Sequence, residues 1–497
     1  MSLLITRLTT EPAPLPWLER QAWHPWLVVG LVSMGAFVGQ LDATIVQLAL
    51  PSLGHYFDAS LEHVSWIALS YLAAFVSFLP IFGRLCEMFG RKTLYIAGYL
   101  IFILASALCG SAASFEQLLV FRFLQGVGGS LLGANSIAIL VKTISPAQRG
   151  RALGWFAAAQ AVGMSAGPAL GGLILASLGW RWIFWLTVPV GALAVIVGWL
   201  ALPRSTGMQP ERAFDWGGAL LIGPALMLIV AILNHVSTWG LGAPVTLAGL
   251  ALAALLLALL VCRERIFPTP LIDPALFRSA AFCSAAAGVA LGYALLFSMF
   301  FVMSFAQGHG YGLPPGTAGL HLAIIPVAIG LTAPFSNSVT ERLGMRWVGM
   351  AGMAISFAAV ALLIATLGRV EDHFLFDATA YALFGVGLGL FIAPNNHVAL
   401  AAVPAAQSGP AGALLNLMRA LGTCLGVAGG ATMLALNLEG PGEATRTWMS
   451  SSGPQMLVAV RDSLPLLAAM VVLAAMATGY AARQVARQSE NNTATSD

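Results

Sequence analysis

Charged side chains that interrupt long apolar runs are the residues of this sequence best suited to chemistry. Asp42 and Arg122 each lie well inside such a run, whereas Asp377 stands close to the end of its run, where we expect it to be interfacial. A carboxyl held away from water can bind and release a proton, because burial disfavours its charged form and a neighbouring guanidinium favours it. We therefore expect Asp42 to be a proton-binding residue that Arg122 tunes. A purely structural Asp–Arg pair is the alternative.

A third buried charge, Arg419, lies deep in a late apolar run, within Asn416-Leu417-Met418-Arg419. It has no evident acidic partner in its own half of the chain. A cation inside an apolar run is costly and usually faces a cavity or a partner. Arg419 could pair with a backbone carbonyl or contact an anionic ligand, and the sequence leaves both interpretations open.

The remaining reactive residues do not form an enzyme motif. The sequence contains no P-loop, no HExxH and no G-x-S-x-G with a plausible triad, so ATP is not the evident energy source. The cysteines form no CxxC and are not spaced for a metal site. We expect a protein that is not an enzyme and holds no cofactor or metal. The cysteines are Cys86, Cys109, Cys262, Cys283 and Cys424.

Long apolar segments carry these charges. Of the 497 residues, 59% are hydrophobic and only 9% are charged, whereas a soluble domain has about 25% charged residues. Apolar runs of roughly 20 residues match the length of a membrane-spanning helix, which satisfies its own backbone hydrogen bonds. The sequence therefore predicts an all-α membrane protein, and the net charge of +3 gives no argument for nucleic acid as a partner. Fourteen spans are predicted, at residues 26–50, 64–82, 93–113, 117–141, 152–178, 182–202, 216–233, 245–262, 280–307, 316–339, 347–367, 374–398, 409–438 and 463–482.

Lysine and arginine are distributed unequally between alternate connections. Seventeen of the 23 lie on one set of connections, four lie on the opposite set and two lie within spans. The positive-inside rule assigns the richer set to the cytoplasm, which also contains both termini. The segment Met1–Gln21 lacks the features of a signal peptide. The connection 439–462 falls outside without an evident fold, and the tail Gln488–Asp497 is expected to be disordered.

A glycine-bounded turn follows the second predicted span. It reads Gly83-Arg84-Leu85-Cys86-Glu87-Met88-Phe89-Gly90-Arg91-Lys92. Glu87 can cap or bridge a neighbouring helix end, and the basic pair Arg91 and Lys92 favours the cytoplasmic side. A degraded copy, Glu341-Arg342-Leu343-Gly344-Met345-Arg346, follows the tenth span. Two such turns at matching places indicate an internal repeat of six helices.

Two further stretches lie inside predicted spans. The fourth span contains Arg122-Phe123-Leu124-Gln125-Gly126-Val127-Gly128-Gly129. In the fifth span, glycines recur every fourth residue on one helix face, where small residues let helices approach closely. A proline in the same stretch can bend this helix. The fifth-span residues are Gly163, Gly167, Pro168, Gly171 and Gly172.

Together with Leu41-Asp42-Ala43-Thr44-Ile45-Val46-Gln47-Leu48-Ala49-Leu50-Pro51 in the first span, these stretches resemble the major facilitator superfamily. The resemblance is to its fourteen-helix drug:proton antiporters of the EmrB/QacA type, and it is strongest over residues 41–190. The family patterns are G-x-L-x-D-R-x-G-R-K, R-F-x-Q-G-x-G, G-P-x-x-G-G and L-D-x-T-I-V-N-V-A-L-P. This sequence has Glu87 and Met88 in place of Asp and Arg, and Gln47 in place of Asn.

The resemblance implies a fold of two six-helix bundles with two extra central helices and cytoplasmic termini. It implies that Asp42 and Arg122 couple proton movement, that the turn 83–92 takes part in gating, and that the fifth-span stretch is an antiporter motif. We expect the two extra helices to be peripheral packing helices. The implied domains are a cytoplasmic N-terminus at 1–25, an N-terminal bundle at 26–202, a linker at 203–278 with spans 216–233 and 245–262, a C-terminal bundle at 279–482 and a disordered tail at 483–497.

The function implied by this resemblance is proton-coupled antiport that exports amphiphilic drugs or related small molecules across the bacterial cytoplasmic membrane. The alternatives are an exporter of one metabolite, siderophore or organic acid, and a proton-coupled importer, against which the fifth-span motif speaks. A scaffold without transport is not favoured, since a buried Asp and Arg would then be a cost without purpose. The implied partners are a small-molecule substrate, protons, the bilayer and a periplasmic adaptor protein, while the oligomeric state is not indicated.

A substrate cavity is expected between the two bundles near the midplane of the membrane. Asn395 and Asn396 could bind a polar group there or simply end the twelfth span after Pro394. His321 is expected to be a solvated helix-end histidine. The candidate cavity residues are Gln47, Trp66, Tyr71, Gln125, Tyr293, Phe297, Asn395, Asn396 and Arg419.

Overall fold

The computed structural model describes residues 11–206, 208, 213–369, 373–404, 407–438 and 448–494. Regular structure in these ranges is helical, without any strand, and fourteen of the described helices are long and apolar enough to cross a membrane. The predicted fold class and span number are thus confirmed. The helices are α1 His24–Phe57, α2 Leu61–Phe89, α3 Arg91–Gly110, α4 Phe115–Thr143, α5 Arg149–Ser177, α6 Arg181–Ala201, α7 Trp216–Trp239, α8 Pro244–Ile266, α9 Ala280–Phe305, α10 Pro315–Leu343, α11 Met345–Thr366, α12 His373–Ala401, α13 Ser408–Leu438 and α14 Gly453–Ala494.

Several helices continue through proline residues. Pro168 lies inside α5, Pro394 inside α12 and Pro465 inside α14. Proline removes one backbone donor, but membrane helices tolerate it because neighbouring groups satisfy the freed carbonyl. The alternative that the twelfth span ends after Pro394 is therefore wrong, since α12 runs on to Ala401.

Helix α14 is longer than its predicted span at both ends. It begins at Gly453 and continues to Ala494, through most of the tail that the sequence analysis expects to be disordered. The residues after the apolar span are rich in Ala, Arg and Gln, which favour helix, and contain no Gly or Pro. The helix can therefore continue once the span has started it. Residues 439–447 of the preceding connection and 495–497 of the tail lie outside the described residues.

Two glycines with positive φ begin helices at matching places in the two predicted repeats. Gly90, with φ 105°, is the N-cap of α3, and Gly344, with φ 83°, is the N-cap of α11. This backbone conformation is open to glycine and strained for other residues. Both turns therefore depend on a glycine where the sequence analysis found the motif and its copy.

By its internal contacts the chain divides into two compact units. Unit 1 consists of Met1–Ala49, Trp66–Ile229 and Gly249–Leu271. Unit 2 consists of Leu50–Ser65, Val230–Ala248 and Ile272–Asp497. The division passes through α1, α2, α7 and α8. The domain boundaries implied by the family resemblance stay a prediction.

The two extra helices differ in their surroundings. In α8, only 17% of the apolar membrane-spanning stretch is buried, whereas the corresponding share in α9 is 83%. This difference favours a peripheral position for α8. Helix α7 is tied more firmly. In unit 1 the Ser77 hydroxyl donates to the Gly223 carbonyl at 3.3 Å, and in unit 2 the Thr432 hydroxyl donates to the Leu233 carbonyl at 2.6 Å.

Candidate functional site

A buried ion pair joins α1 to α4 within unit 1. Arg122 Nη1 donates to Asp42 Oδ2 at 2.8 Å, and Gln125 Nε2 donates to Asp42 Oδ1 at 2.9 Å. Asp42 and Gln125 are 0% exposed and Arg122 is 1% exposed. Both carboxylate oxygens are thus satisfied inside the protein. The structure brings together three residues that the sequence analysis selected from two different helices.

Neutral groups complete the surroundings of Arg122. Its Nε donates to the Ile67 carbonyl at 2.9 Å, and its Nη1 also donates to Gln125 Oε1 at 2.6 Å. Its Cζ lies 4.5 Å from the centre of the Tyr71 ring and 5.8 Å from that of Phe184. An aromatic face attracts a cation, so the guanidinium keeps favourable partners besides the carboxylate. Tyr71, which the sequence suggested as a cavity residue, packs its ring against the Arg122 guanidinium.

Gln125 links the ion pair to α3. Its Nε2 donates to Ser106 Oγ at 2.9 Å, and Ser106 Oγ donates to the Phe102 carbonyl at 2.7 Å. The Cys109 thiol lies 3.9 Å from Gln125 Oε1. Sequence reasoning did not select Ser106, because a lone serine in an apolar span carries no signal of its partner. The carboxylate is therefore held by a network drawn from three helices.

The glycine face of α5 packs against α1, the helix that carries Asp42. A methyl group built on Gly167 would overlap the Thr44 hydroxyl, which itself donates to the Met164 carbonyl at 3.3 Å. The close approach needs the absent side chains, as the predicted small-residue face requires. All of the fifth-span candidates are buried, namely Gly163, Gly167, Pro168, Gly171 and Gly172.

Gln47 lies in α1, five residues after Asp42, and is 1% exposed. Neither its amide nitrogen nor its amide oxygen has a hydrogen-bond partner among the residues that the structure describes. Buried polar groups are normally paired, and an orphaned one calls for an explanation such as an unseen water or ligand. Gln47 is therefore the cavity candidate in unit 1 whose hydrogen-bonding capacity is still open.

The turn between α2 and α3 is held differently from the prediction. Residues 83–89 of the predicted turn are the last part of α2, so Glu87 forms one ion pair within that helix, with Arg84 at 2.8 Å. It forms a second with Arg91 at the start of α3, at 3.9 Å, and its side chain is about half exposed. The acid that satisfies the first turn of α3 is Glu11, whose Oε1 accepts from Thr93 N at 3.1 Å. Glu87 thus reaches the start of α3 through the longer contact with Arg91, while its closer partner, Arg84, stands one turn earlier in α2.

Lys92 is buried although its side chain carries a charge. It is 1% exposed, and its Nζ donates to the Pro12 carbonyl at 2.9 Å and to the Leu202 carbonyl at 2.8 Å. The hydroxyl of Ser205 accepts from Arg91 N at 2.7 Å. The turn is therefore joined both to the N-terminal segment and to the segment after α6. Sequence reasoning treated Lys92 only as a charge and gave no signal for these contacts.

The candidates in unit 2 do not gather around one group. Arg419 is partly buried, donates to the Asn416 amide oxygen, and has its Cζ 5.8 Å from the centre of the Tyr293 ring. No carboxylate pairs with Arg419 among the described residues. Because the Asn416 amide and the Tyr293 ring are neutral, they do not balance the positive charge of Arg419.

Asn395 and Phe297 are built into the interior of unit 2. Asn395 is 0% exposed, donates to the Ala285 carbonyl at 2.8 Å and accepts from Thr478 Oγ1 at 2.7 Å. Its amide therefore ties α12 to α9 and α14. The Phe297 ring is buried against Phe300, with centroids 6.0 Å apart. The two other candidates, Trp66 and Asn396, are partly exposed.

Asp377, which we expect from the sequence to lie at the membrane interface, is a second buried carboxyl and belongs to unit 2. Asp377 is 1% exposed. Its Oδ2 accepts from Gln307 Nε2 at 3.4 Å, while Oδ1 has no hydrogen-bond partner in the described part of the chain. Gln307 also donates to Tyr381 Oη at 2.9 Å. His321, which we expect from the sequence to be solvated, is partly buried, and its Nδ1 lies 3.0 Å from Gln307 Oε1.

This cluster depends on an irregular turn. Residues Ala306–Gly310 form a π-helical turn at the end of α9, and this turn carries Gln307 to α12 and α10. Such turns are often found at functional sites. Burial, and to a lesser extent the Asp377 carboxyl, raises the pKa of nearby Tyr311 to about 12, so this phenol adds no charge. The carboxyl of Asp377 could be recognised in the sequence, but its partner Gln307, 70 residues away, could not.

Comparison with known proteins identifies similar chains. Residues 32–427 match the family model for the Major Facilitator Superfamily. The riboflavin transporter RibZ of Clostridioides difficile (strain 630) is 29% identical over 404 residues, which cover 81% of this chain and 87% of RibZ. The tetracenomycin C resistance and export protein of Streptomyces glaucescens is 29% identical over 442 residues, which cover 88% of this chain and 82% of that protein.

A solved structure shares the fold. It is a bacterial homolog of the human lysosomal transporter Spinster, in its inward-facing and unoccupied conformation. The superposition has a TM-score of 0.66 at 16% sequence identity and covers 94% of this chain and 98% of that one. Identity this low shows the fold alone.

Proposed function

Because this chain belongs to the Major Facilitator Superfamily, we propose that it is a proton-coupled antiporter that exports amphiphilic small molecules across the bacterial cytoplasmic membrane. The family and the relatives make it a multi-pass membrane transporter. The direction of transport and the coupling to protons are the proposal. The observation that carries it is the fully buried ion pair of Asp42 and Arg122.

The surroundings of the pair support a carboxyl that can exist in two protonation states. Breaking a buried pair by removing one charge usually leaves the other charge without compensation. Here a proton on Asp42 would leave Arg122 with the Ile67 carbonyl, the Gln125 amide oxygen and the Tyr71 ring. These partners reduce the cost of the neutral carboxyl, so either state can be reached during a transport cycle.

Proton exchange also requires contact with water. Asp42 has no exposed surface in this conformation, so α1 must separate from its neighbours at some stage of the cycle. Thr44 and Ile45 of α1 pack directly against the glycine face of α5, where the glycines carry no side chains. We expect α1 to shift along this smooth face when Asp42 gains or loses its proton, which would tie protonation to the opening of the site.

Gln47 supports a substrate contact close to the proton site. Its amide offers two donors and one acceptor, none of which is used within the protein. It lies a little more than one helical turn from Asp42. We infer that Gln47 hydrogen-bonds a polar group of the substrate, whose apolar part suits the apolar interior of the spans.

The experiment is transport by purified protein in proteoliposomes with an imposed pH gradient and a panel of amphiphilic compounds. Asp42→Asn keeps the shape of the side chain but cannot ionise. We expect it to abolish uptake driven by the pH gradient, while exchange of unlabelled for labelled substrate at equal pH persists. Asp58→Asn, on the connection between α1 and α2, is the control and should transport normally. Undiminished pH-driven transport by Asp42→Asn would remove this residue from the mechanism.

A second candidate function is transport of one specific metabolite. The riboflavin transporter RibZ favours it, since it is as similar to this chain as the tetracenomycin exporter is. The compound panel separates the two functions if it includes riboflavin beside unrelated amphiphilic drugs. Transport of riboflavin alone, or its inward accumulation in right-side-out vesicles, would favour the metabolite transporter over the drug exporter.

A periplasmic adaptor protein belongs to the same proposal as a further partner. It is supported only by the resemblance to exporters that work in three-part envelope pumps. Crosslinking in whole cells followed by purification of this chain tests it. Recovery of the chain without any co-purifying periplasmic protein, under conditions of active export, would contradict an adaptor.

A further inference from the structure

A groove on unit 2 lies between α11 and α14 and has a volume of about 690 Å³. Its walls are apolar, with Met350, Met353 and Phe357 on α11 and Met476 on α14. The groove lies within the segments Met345–Thr366 and Gly453–Val485, both apolar enough to span the membrane. Its walls therefore suit a hydrocarbon chain.

Both arginines that line the groove lie at the same end of it. The two helices run antiparallel, since a Cβ placed on Gly479 would lie 3.6 Å from Met350 Sδ, whereas one placed on Gly368, just after α11, would lie 3.2 Å from Leu457 near the start of α14. Arg346 stands one turn before Met350, and Arg483 stands one turn after Gly479. The two guanidinium groups therefore flank one mouth of an otherwise apolar groove.

The length of the groove matches half of a bilayer. Its lining along α11 extends from Arg346 to Phe357, which corresponds to about 16 Å at a rise of roughly 1.5 Å per residue. The hydrocarbon core of one leaflet is about 15 Å deep. Trp347 is 61% exposed beside the charged mouth, as expected for a side chain at the membrane–water boundary.

The positive charge at this mouth is not compensated within the described part of the chain. Neither Arg346 nor Arg483 forms an ion pair there, and the nearby acid Glu341 is exposed without pairing to either. Arg346 Nε is buried and has no hydrogen-bond acceptor. The first turn of α11 contains no acidic residue and has no side-chain cap. Its free N–H groups add to the positive field.

We propose that this groove binds an anionic phospholipid. The phosphate lies between Arg346 and Arg483 and accepts from their guanidinium N–H groups, while one acyl chain follows the apolar wall to Phe357. Arginine binds phosphate through several parallel hydrogen bonds, and basic pockets between membrane helices are suited to acidic headgroups. Bound in this way, the lipid would link α11 to α14. This site does not depend on the proposed transport reaction.

Native mass spectrometry of the delipidated full chain in detergent tests the proposal. The probes are phosphatidylglycerol and phosphatidylethanolamine with identical acyl chains, and inorganic phosphate as competitor. We expect phosphatidylglycerol to bind about thirtyfold more tightly than phosphatidylethanolamine, the scale expected of two cationic residues at a membrane surface. The preference should disappear in the double variant Arg346→Gln/Arg483→Gln and persist in Arg278→Gln, which alters an exposed arginine elsewhere in unit 2.

The other arms separate a lipid site from a phosphate site. Ala475→Phe fills the groove without altering its charge, and it should weaken phosphatidylglycerol binding while Arg346→Lys retains part of it. Millimolar inorganic phosphate should not displace the lipid. Equal binding of the two lipids, unchanged preference in the double arginine variant, or displacement by phosphate alone would each overturn the proposal.

Discussion

Asp42 and Asp377 are equally buried but face different electrostatic surroundings. Asp42 accepts from a guanidinium and an amide, so both of its oxygens are satisfied. Asp377 accepts one long hydrogen bond from Gln307, and its other oxygen has no partner. An ionised carboxylate without a cation is costly away from water. The two carboxyls therefore differ in their partners: Asp42 is paired with a cation, whereas the partner of Asp377 among the described residues is a neutral amide.

The first consequence concerns Arg122. Arg122→Gln leaves the Asp42 charge buried without its cation, so it should lower the free energy of unfolding by about 3–5 kcal/mol. Chemical unfolding in detergent measures this loss. Arg149→Gln alters an exposed arginine and should change stability by less than about 0.5 kcal/mol. Adding Asp42→Asn to Arg122→Gln should recover part of the loss. A double variant no more stable than Arg122→Gln would mean that the pair is not a charge pair.

The second consequence concerns Asp377. Asparagine has the shape of a protonated aspartic acid and keeps both a donor and an acceptor. Asp377→Asn should therefore change the free energy of unfolding at neutral pH by less than about 1 kcal/mol. Asp42→Asn, measured in parallel, should cost more, because it removes the partner of Arg122. A loss for Asp377→Asn as large as that for Asp42→Asn would contradict this difference in partners.

At the scale of helices, the sequence predicted which segments are helical better than where they end. Run length and the absence of charge are enough for the fourteen spans, because lipid requires each span to close its own hydrogen bonds. The ends depend on other forces. Helix α12 continues past Pro394, and the π-helical turn after α9 places Gln307 beside Tyr381. Neither feature has a periodic signature in the sequence.

The glycine face of α5 gives a prediction at this same scale. Gly167→Ala puts a methyl group into the Thr44 hydroxyl of α1. Overpacking of this kind should lower the free energy of unfolding by about 1–3 kcal/mol and slow transport. Gly154→Ala, in the same helix, meets nothing within 4 Å, so it should raise stability slightly, by up to about 1 kcal/mol. Equal effects of the two substitutions would contradict close packing at Gly167.

At the scale of the whole molecule, a contact can be predicted from the sequence when leaving its groups unpaired would be energetically costly. Contacts without such a cost are missed. A buried Asp and a buried Arg in one half of the chain need each other, so their pairing could be expected before the structure. Glu11 gives no such signal, yet it accepts from Thr93 N across 82 residues. Its partner is a backbone group, which every residue carries. The ion pair can therefore be predicted from the sequence, but the contact of Glu11 with the start of α3 cannot.

The orientation of the chain in the membrane is the remaining prediction at this scale. Seventeen of the 23 lysines and arginines lie on one set of connections, so we expect that set, and both termini, in the cytoplasm. A green fluorescent protein fused after Asp497 should fluoresce, and alkaline phosphatase fused after Ser452 should be active, whereas a fusion after Glu341 should be inactive. The same result would assign the arginine mouth of the groove between α11 and α14 to the inner leaflet. Activity of the Glu341 fusion would invert the topology and place the anionic lipid in the outer leaflet.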